Sequence, residues 1–340
     1  MDDSQRSLRS NWWIFLTLPW LTWGAFYGIP IFESAKGFGG TELTPRMMAV
    51  ICICAGYAIL AVVPFIRLRS EPGKWTTQGV LCAFSAGACG LAGATFLSFA
   101  MSSGDSRTLL YYVMPAVFTI APMWNCIVAM LINGFADGHW QRPNLKFLTF
   151  LVAGALAAGV ALANKPGAAT AGSVENWDWV LYTLGVVVFF GAFGPLNFRG
   201  IQKLDRSPMR ALFCVCSAYV IGGLCLVPAF LDPALITKQG VGYGLAAGAS
   251  GFLGSFGVTM LNKTGMQMSP KRLPILNMPL VFIGSAFASV LGGLVWHPPE
   301  DWSFMTVYAP CFLVAAACMV GVLRNNPEFL AMRKRVAAGS

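Results

Sequence analysis

Apolar residues run on for about twenty positions at a time, and the polar residues gather in the gaps between the runs. The runs cover 12–32, 45–66, 77–101, 108–132, 145–164, 177–198, 210–231, 240–261, 273–295 and 303–323. Each is close to the roughly 20 residues that a helix needs to cross hydrocarbon. Hydrophobicity does not alternate within them: 148–163 is apolar or small on every face, whereas a barrel strand switches at every second position. Helices are then the spanning structure that satisfies every backbone group in lipid. The pattern predicts an all-α membrane protein of about ten transmembrane helices. Connections are short, the longest being about a dozen residues at 133–144 and 165–176, so they hold no soluble domain.

The pattern also repeats. Cys52-Ile53-Cys54-Ala55-Gly56-Tyr57 returns as Cys214-Val215-Cys216-Ser217-Ala218-Tyr219. Gly24-Ala25-Phe26 returns as Gly191-Ala192-Phe193, and Ala86-Gly87-Ala88-Cys89-Gly90 as Ala247-Gly248-Ala249-Ser250-Gly251. Met114-Pro115-Ala116-Val117-Phe118 matches Met278-Pro279-Leu280-Val281-Phe282, and Asn164-Lys165-Pro166 matches Asn325-Asn326-Pro327. The fragments keep their order at offsets between 161 and 167 residues. Such self-similarity marks an internal duplication. It divides the chain into 1–166, a first five-helix repeat, and 167–340, a second one with a short basic tail. The small, flexible stretch after Lys165 suits a linker between them. Five spans per copy is an odd number, so the second copy enters the membrane from the opposite side. Inverted repeats of this kind are a transporter architecture with a site near the bilayer midplane.

Composition and charge agree with this picture. Charged residues are 11%, against roughly 25% in soluble domains. The net charge of +9 is sorted by loop: with the N-terminus inside, 18 of the 23 Lys and Arg residues fall on cytoplasmic segments and 5 on outer ones. This is the positive-inside asymmetry, with both termini cytoplasmic in a plasma or bacterial inner membrane, and it leaves no basic surface for nucleic acid. All ten cysteines lie within predicted spans. Residues i and i+2 of a helix point about 200° apart, so the Cys-x-Cys pairs read as small buried hydrophobes and no cofactor or metal is expected.

Ten helices in two inverted five-helix repeats, Trp23-Gly24 in the first helix, and Pro115 and Pro279 in the fourth and ninth are the features in which the chain resembles the drug/metabolite transporter superfamily, in its EamA-like branch. The resemblance covers essentially the whole chain. It implies carriage of a small metabolite through a central cavity lined by helices from both halves.

The residues themselves offer candidates for that path. Trp20, Trp23 and Tyr27 follow i, i+3, i+7 and share one face of a regular helix. Trp20, eight residues past Trp12, lies about 12 Å deep at 1.5 Å per residue, far from the interfacial belt. On 108–132, Tyr111, Pro115, Thr119, Pro122 and Asn125 form one stripe, and the two prolines free carbonyls that must be satisfied internally. This marks 108–132 as a broken, site-forming helix. Asn277 beside Pro274, and Asn197 beside Pro195, repeat the theme. The substrate-binding candidates are therefore Trp20, Trp23, Tyr27, Tyr111, Asn125, Asn197 and Asn277. The repeat partners of Trp23, Tyr111 and Asn125 are approximately Phe190, Ile275 and Ser289, so the expected site is asymmetric and weighted towards the first copy.

None of the 14 acidic residues falls near mid-span, which favours a facilitator or exchanger over a carboxylate proton relay. The expected partners are a small-molecule substrate and the lipid bilayer, and a homodimer is compatible with the pattern. A membrane enzyme would need a clustered acid, base, nucleophile or metal set, yet the two histidines, His139 and His297, stand isolated in short loops. A non-transporting membrane scaffold is the other alternative.

Overall fold

The computed structural model describes residues 12–40, 42–102, 106–138, 140, 142–163, 178–268, 273–296, 305–327 and 330. Within these, the side chains of 102, 106–112, 136–137, 162–163, 265–268, 273–279 and 296 lie outside the description. The described residues are helical, with no strand among them.

Eight helices are long and apolar enough to cross a membrane: Trp12–Gly37, Leu43–Leu68, Thr77–Met101, Val113–Phe135, Asp178–Lys203, Pro208–Phe230, Lys238–Thr264 and Met305–Arg324. Leu145–Ala161 and Leu280–Val295 are apolar but shorter. The protein is thus a multi-pass membrane protein. Its outward faces are apolar, as with Leu145, Leu224, Val295 and Leu313, which is the sign of a lipid-facing surface. Hydroxyls within the spans close onto their own helix: Thr95 donates to Leu91 O at 3.0 Å and Thr183 to Trp179 O at 2.7 Å. In lipid this spares them an unmet bond. All ten cysteines are free thiols.

The helices are named here in chain order. Trp12–Pro19 is α1, followed by a π-helical turn at Trp20–Ala25, then α2 at Gly28–Gly37, α3 at Leu43–Leu60 and α4 at Val62–Leu68. Next come α5 at Thr77–Ser102, α6 at Ser106–Asp137 and α7 at Leu145–Ala163. The remainder is α8 at Asp178–Lys203, α9 at Pro208–Phe230, α10 at Lys238–Met268, α11 at Leu273–Trp296 and α12 at Met305–Arg324. The first span packs along α10 and α11, while α8 packs along α5 and α6.

Glycine lets these helices close up. A Cβ at Gly56 would lie 2.9 Å from the Gly248 Cα, and one at Gly87 2.8 Å from the Val215 Cα. Small residues are what permit such backbone approach in a membrane.

A π-helical break lies in the first span, and none in 108–132. Helix α6 runs unbroken through Pro115 and Pro122, and the Thr119 hydroxyl closes onto the Pro115 carbonyl at 2.7 Å. In the first span, Pro19 leads into the π turn, where Phe26 N–H reaches back five residues to Leu21 O at 3.1 Å. The widened turn opens carbonyls to outside donors. Ser285 of α11 donates to Pro19 O at 3.3 Å, and Ser250 of α10 to Thr22 O at 2.5 Å. A π turn of this kind is frequent at functional sites.

Candidate functional site

Several helices converge on a narrow cavity in the middle of the bundle. Trp23, Tyr27, Tyr57, Gly90 and Phe118 line it from the first half of the chain. Phe190, Phe193, Tyr219, Ser255 and Phe282 line it from the second. At its centre the rings of Tyr57 and Tyr219 stack with centroids 3.7 Å apart and planes 4° from parallel. These are the last residues of the two echoing Cys-x-Cys segments. The Phe118 and Phe282 rings, which end the two Met-Pro echoes, meet with centroids 6.1 Å apart. The glycines obey the same pairing: a Cβ at Gly90 would come within 2.7 Å of the Tyr219 hydroxyl, and one at Gly251 within 3.0 Å of the Tyr57 hydroxyl.

Aromatic rings make up most of the wall, and Trp23 stands edge-on to Phe193 at 5.9 Å. The Trp23 indole N–H is not offered to the cavity, since it donates to Gly251 O at 3.1 Å. Polarity comes from the tyrosine hydroxyls and Ser255, whose hydroxyl lies 3.0 Å from that of Tyr57. Among the described residues no charged side chain lines the space. Tyr27, Tyr57, Phe118, Tyr219 and Phe282 are each at most 3% exposed, so the centre of the cavity is buried, while Trp23 and Phe190 in its wall are only partly buried.

Two sets of contacts close the ends of the bundle. At one end the loop 69–76 is fastened to 203–210. Thr76 donates to Lys203 O at 2.7 Å, and the Lys74 N–H reaches the Asp205 carboxylate at 2.9 Å. The Glu71 carboxylate takes the Ser207 hydroxyl, the Met209 N–H at 3.1 Å and the Lys263 ammonium at 3.5 Å. Arg210, only 7% exposed, bonds Pro72 O at 2.8 Å and Glu71 O at 3.0 Å. At the opposite end Thr237 donates to Gly37 O, and Ser34 to Gly240 O, both at 2.7 Å.

Of the residues singled out from sequence, Trp23 and Tyr27 line the cavity. Trp20 lies elsewhere: its indole rests against Gly284 of α11 and donates to Leu280 O at 2.9 Å. The i, i+3, i+7 face assumed a regular α-helix, and the π turn between Trp20 and Tyr27 turns the three side chains apart. Asn125 and Asn197 are not in the wall. Asn197 is fully buried and bonds the Thr259 hydroxyl at 3.1 Å. The side chains of Tyr111 and Asn277 lie outside the described residues. Four of the lining residues that were not candidates from sequence, Tyr57, Tyr219, Phe118 and Phe282, carried a signal all the same: each is the aromatic that ends an echoing fragment.

No protein-family model matches the chain, and no curated protein does. The fold is found among solved structures. One crystal structure, described simply as that of a protein, matches with a TM-score of 0.50 and 13% identity, covering 87% of this chain and 96% of its own. At that identity the likeness is one of fold.

Proposed function

We propose that the protein is a secondary transporter: it carries a small molecule across a cell membrane by alternating access between two inverted five-helix repeats, 1–166 and 167–340, with both termini cytoplasmic. The observation that carries this reading is the aromatic cavity between the halves, centred on the Tyr57 and Tyr219 stack. Buried pockets lined by apolar and aromatic groups with few polar ones are the usual form of a small-molecule site.

The inverted arrangement is supported by contacts that recur under the sequence echo. Gly24 sits where a Cβ would meet Ser285 O at 2.6 Å, and Gly191 where one would meet Ala121 O at 2.8 Å. Thr76 and Thr237, 161 residues apart, make the same clasp at opposite ends of the bundle, because α9 crosses it once between them. A ten-span count takes in α7 and α11 as the fifth and ninth spans, matched to α12 and α6.

In this reading the Glu71 end is the cytoplasmic gate and the Thr237 end the outer one. Both are shut around the cavity, which is the occluded form that alternating access requires. With no carboxylate among the described residues of the cavity wall, transport proceeds as facilitation or exchange rather than through a proton relay at that wall. The likeness to the EamA-like branch agrees with this reading.

The test is flux in liposomes. Wild-type protein takes up at least one of a broad panel of labelled metabolites faster than empty vesicles. Gly90→Leu, which drives a side chain against the Tyr219 hydroxyl, loses that uptake while the detergent-solubilised protein keeps its melting transition. No flux across the panel, or full flux in Gly90→Leu, counts against transport through this cavity.

A further inference from the structure

Three helices that meet at the cavity carry an asparagine further along the same face. On α10, Ser255 lines the wall and Asn262 follows seven residues on, about 20° around the helix and about 10 Å along it. On α6, Asn125 stands in the same relation to Phe118. On α8, Asn197 follows Phe193 by four residues, about 40° around and about 6 Å along. All three helices run towards the Glu71 end, so the three amides lie on one side of the cavity. The echo offsets place Met101, Ser289 and Pro30 at the matching positions on the other side. The amides are therefore a feature of one side only.

Each of these amides has a buried polar atom with its bond unmade. Asn262 is 0% exposed, and neither its Nδ2 nor its Oδ1 has a partner among the described residues. The Asn125 Nδ2 and the Asn197 Oδ1 are likewise buried and unpartnered among them. The orientation at Asn197 is fixed by its neighbours. Thr259 donates its hydroxyl proton to Ser255 O at 2.7 Å, so towards Asn197 its oxygen accepts, and Nδ2 must face it. The Oδ1 is then the free atom. Buried polar groups in native proteins have partners, so sites left open in this way call for a molecule to fill them.

We propose that Asn125, Asn197 and Asn262 form an uncharged hydrogen-bonding subsite on the Glu71 side of the aromatic cavity. Its ligand is an amphiphile: a flat apolar body lies among the rings, and a neutral head that both donates and accepts hydrogen bonds, such as a carboxamide, reaches the asparagines. The open atoms include donors and acceptors, and no charged side chain is among the described residues of the cavity wall, which matches a neutral head rather than a phosphate or a carboxylate. This rests on the transport reading and narrows its substrate class.

The experiment compares two probes with one apolar body, 2-naphthamide and 2-methylnaphthalene, by quenching of tryptophan fluorescence in the purified full chain. Wild type binds the amide about tenfold more tightly. Asn262→Leu binds both equally, with its affinity for 2-methylnaphthalene kept. The variant also melts no lower than wild type, because it removes unpaired polar atoms rather than a bond; a purely structural Asn262 would lower the transition. Equal affinity of wild type for the two probes, as a bound water at Asn262 alone would give, overturns the subsite, and so does failure of both to bind. Liposome flux judges transport separately from either result.

Discussion

The two ends of the bundle are closed by the same device to different depths. Each has a threonine that caps a helix and clasps the facing helix end. Thr76 accepts Gly79 N–H at 3.1 Å and donates to Lys203 O, while Thr237 accepts Gly240 N–H at 3.0 Å and donates to Gly37 O. At the Thr237 end one further neutral bond, from Ser34, completes the described clasp. At the Thr76 end Glu71, Arg210, Lys263 and Asp205 are added. Asp205 and Arg206 hold left-handed backbone there, with φ of 55° and 58°, a conformation that needs its surroundings to hold it. A neutral bond contributes about 1 kcal/mol net, and bonds to charged groups about 1.5–3 kcal/mol. The difference teaches that the echoing segments supply a matched pair of clasps at the two ends, and that charge makes one of them the stronger.

Removing the charged part breaks the comparison most strongly. Arg210→Ala deletes two bonds from a guanidinium that also lies 5.6 Å over the Trp75 ring. It should weaken the Glu71 end by about 3 kcal/mol or more, the range for buried bonds to a charged donor. The echo supplies reporters for this. Cys214, buried one turn past Arg210, and Cys52, its counterpart near the other end, are both free thiols. Labelling with a maleimide should rise at least tenfold at Cys214 and stay unchanged at Cys52, read by peptide mass spectrometry. An equal rise at both sites would mean that the latch holds the whole fold rather than one end. Glu71→Gln keeps the shape and loses the charge, so it should move Cys214 in the same direction by about 1–2 kcal/mol.

Much of this fold can be read from sequence, because hydrophobic run length and the lipid's demand for satisfied backbones leave few alternatives. The first span runs on to Gly37, past the expected boundary at 32, since Glu33 and Lys36 lie near its end. The break was sought at Pro115 and Pro122, where proline frees carbonyls. It occurs at Trp20–Ala25, because Ser250 and Ser285 on other helices supply hydroxyls to that turn. Their echo counterparts, Cys89 and Ala121, supply none, and α8 stays unbroken. Such a match between distant residues has no local signature. The cavity was half legible: Trp23 and Tyr27 stood out as aromatics within a span, but the emphasis on positions that differ between the copies passed over Tyr57 and Tyr219, which are the same in both.

The two threonines sharpen the comparison at a smaller scale. Thr76→Val and Thr237→Val each remove a neutral clasp and leave a carbonyl unmet, at a cost of about 1 kcal/mol. Because the Glu71 end keeps its charged contacts, Thr76→Val should raise Cys214 labelling less than Thr237→Val raises Cys52 labelling. Equal increases would show that charge adds nothing to the closure of the Glu71 end.

The smallest effect belongs to the Lys263 and Glu71 pair. Its charges are 3.5 Å apart, and the side chains are 26% and 14% exposed, so water reaches both. A partly exposed pair contributes between about 0 and 1 kcal/mol. Raising salt from 0.15 M to 1 M shortens the screening length from about 8 Å to about 3 Å, which weakens such a pair without touching neutral bonds. Cys214 labelling should therefore rise about twofold in high salt, and Lys263→Gln should abolish that rise. Cys52 labelling should not respond, since the described clasp at its end runs between hydroxyl and carbonyl groups. A salt response at Cys52 as large as that at Cys214 would mean that the ends open together, and the division into a charged gate and a neutral one would fall.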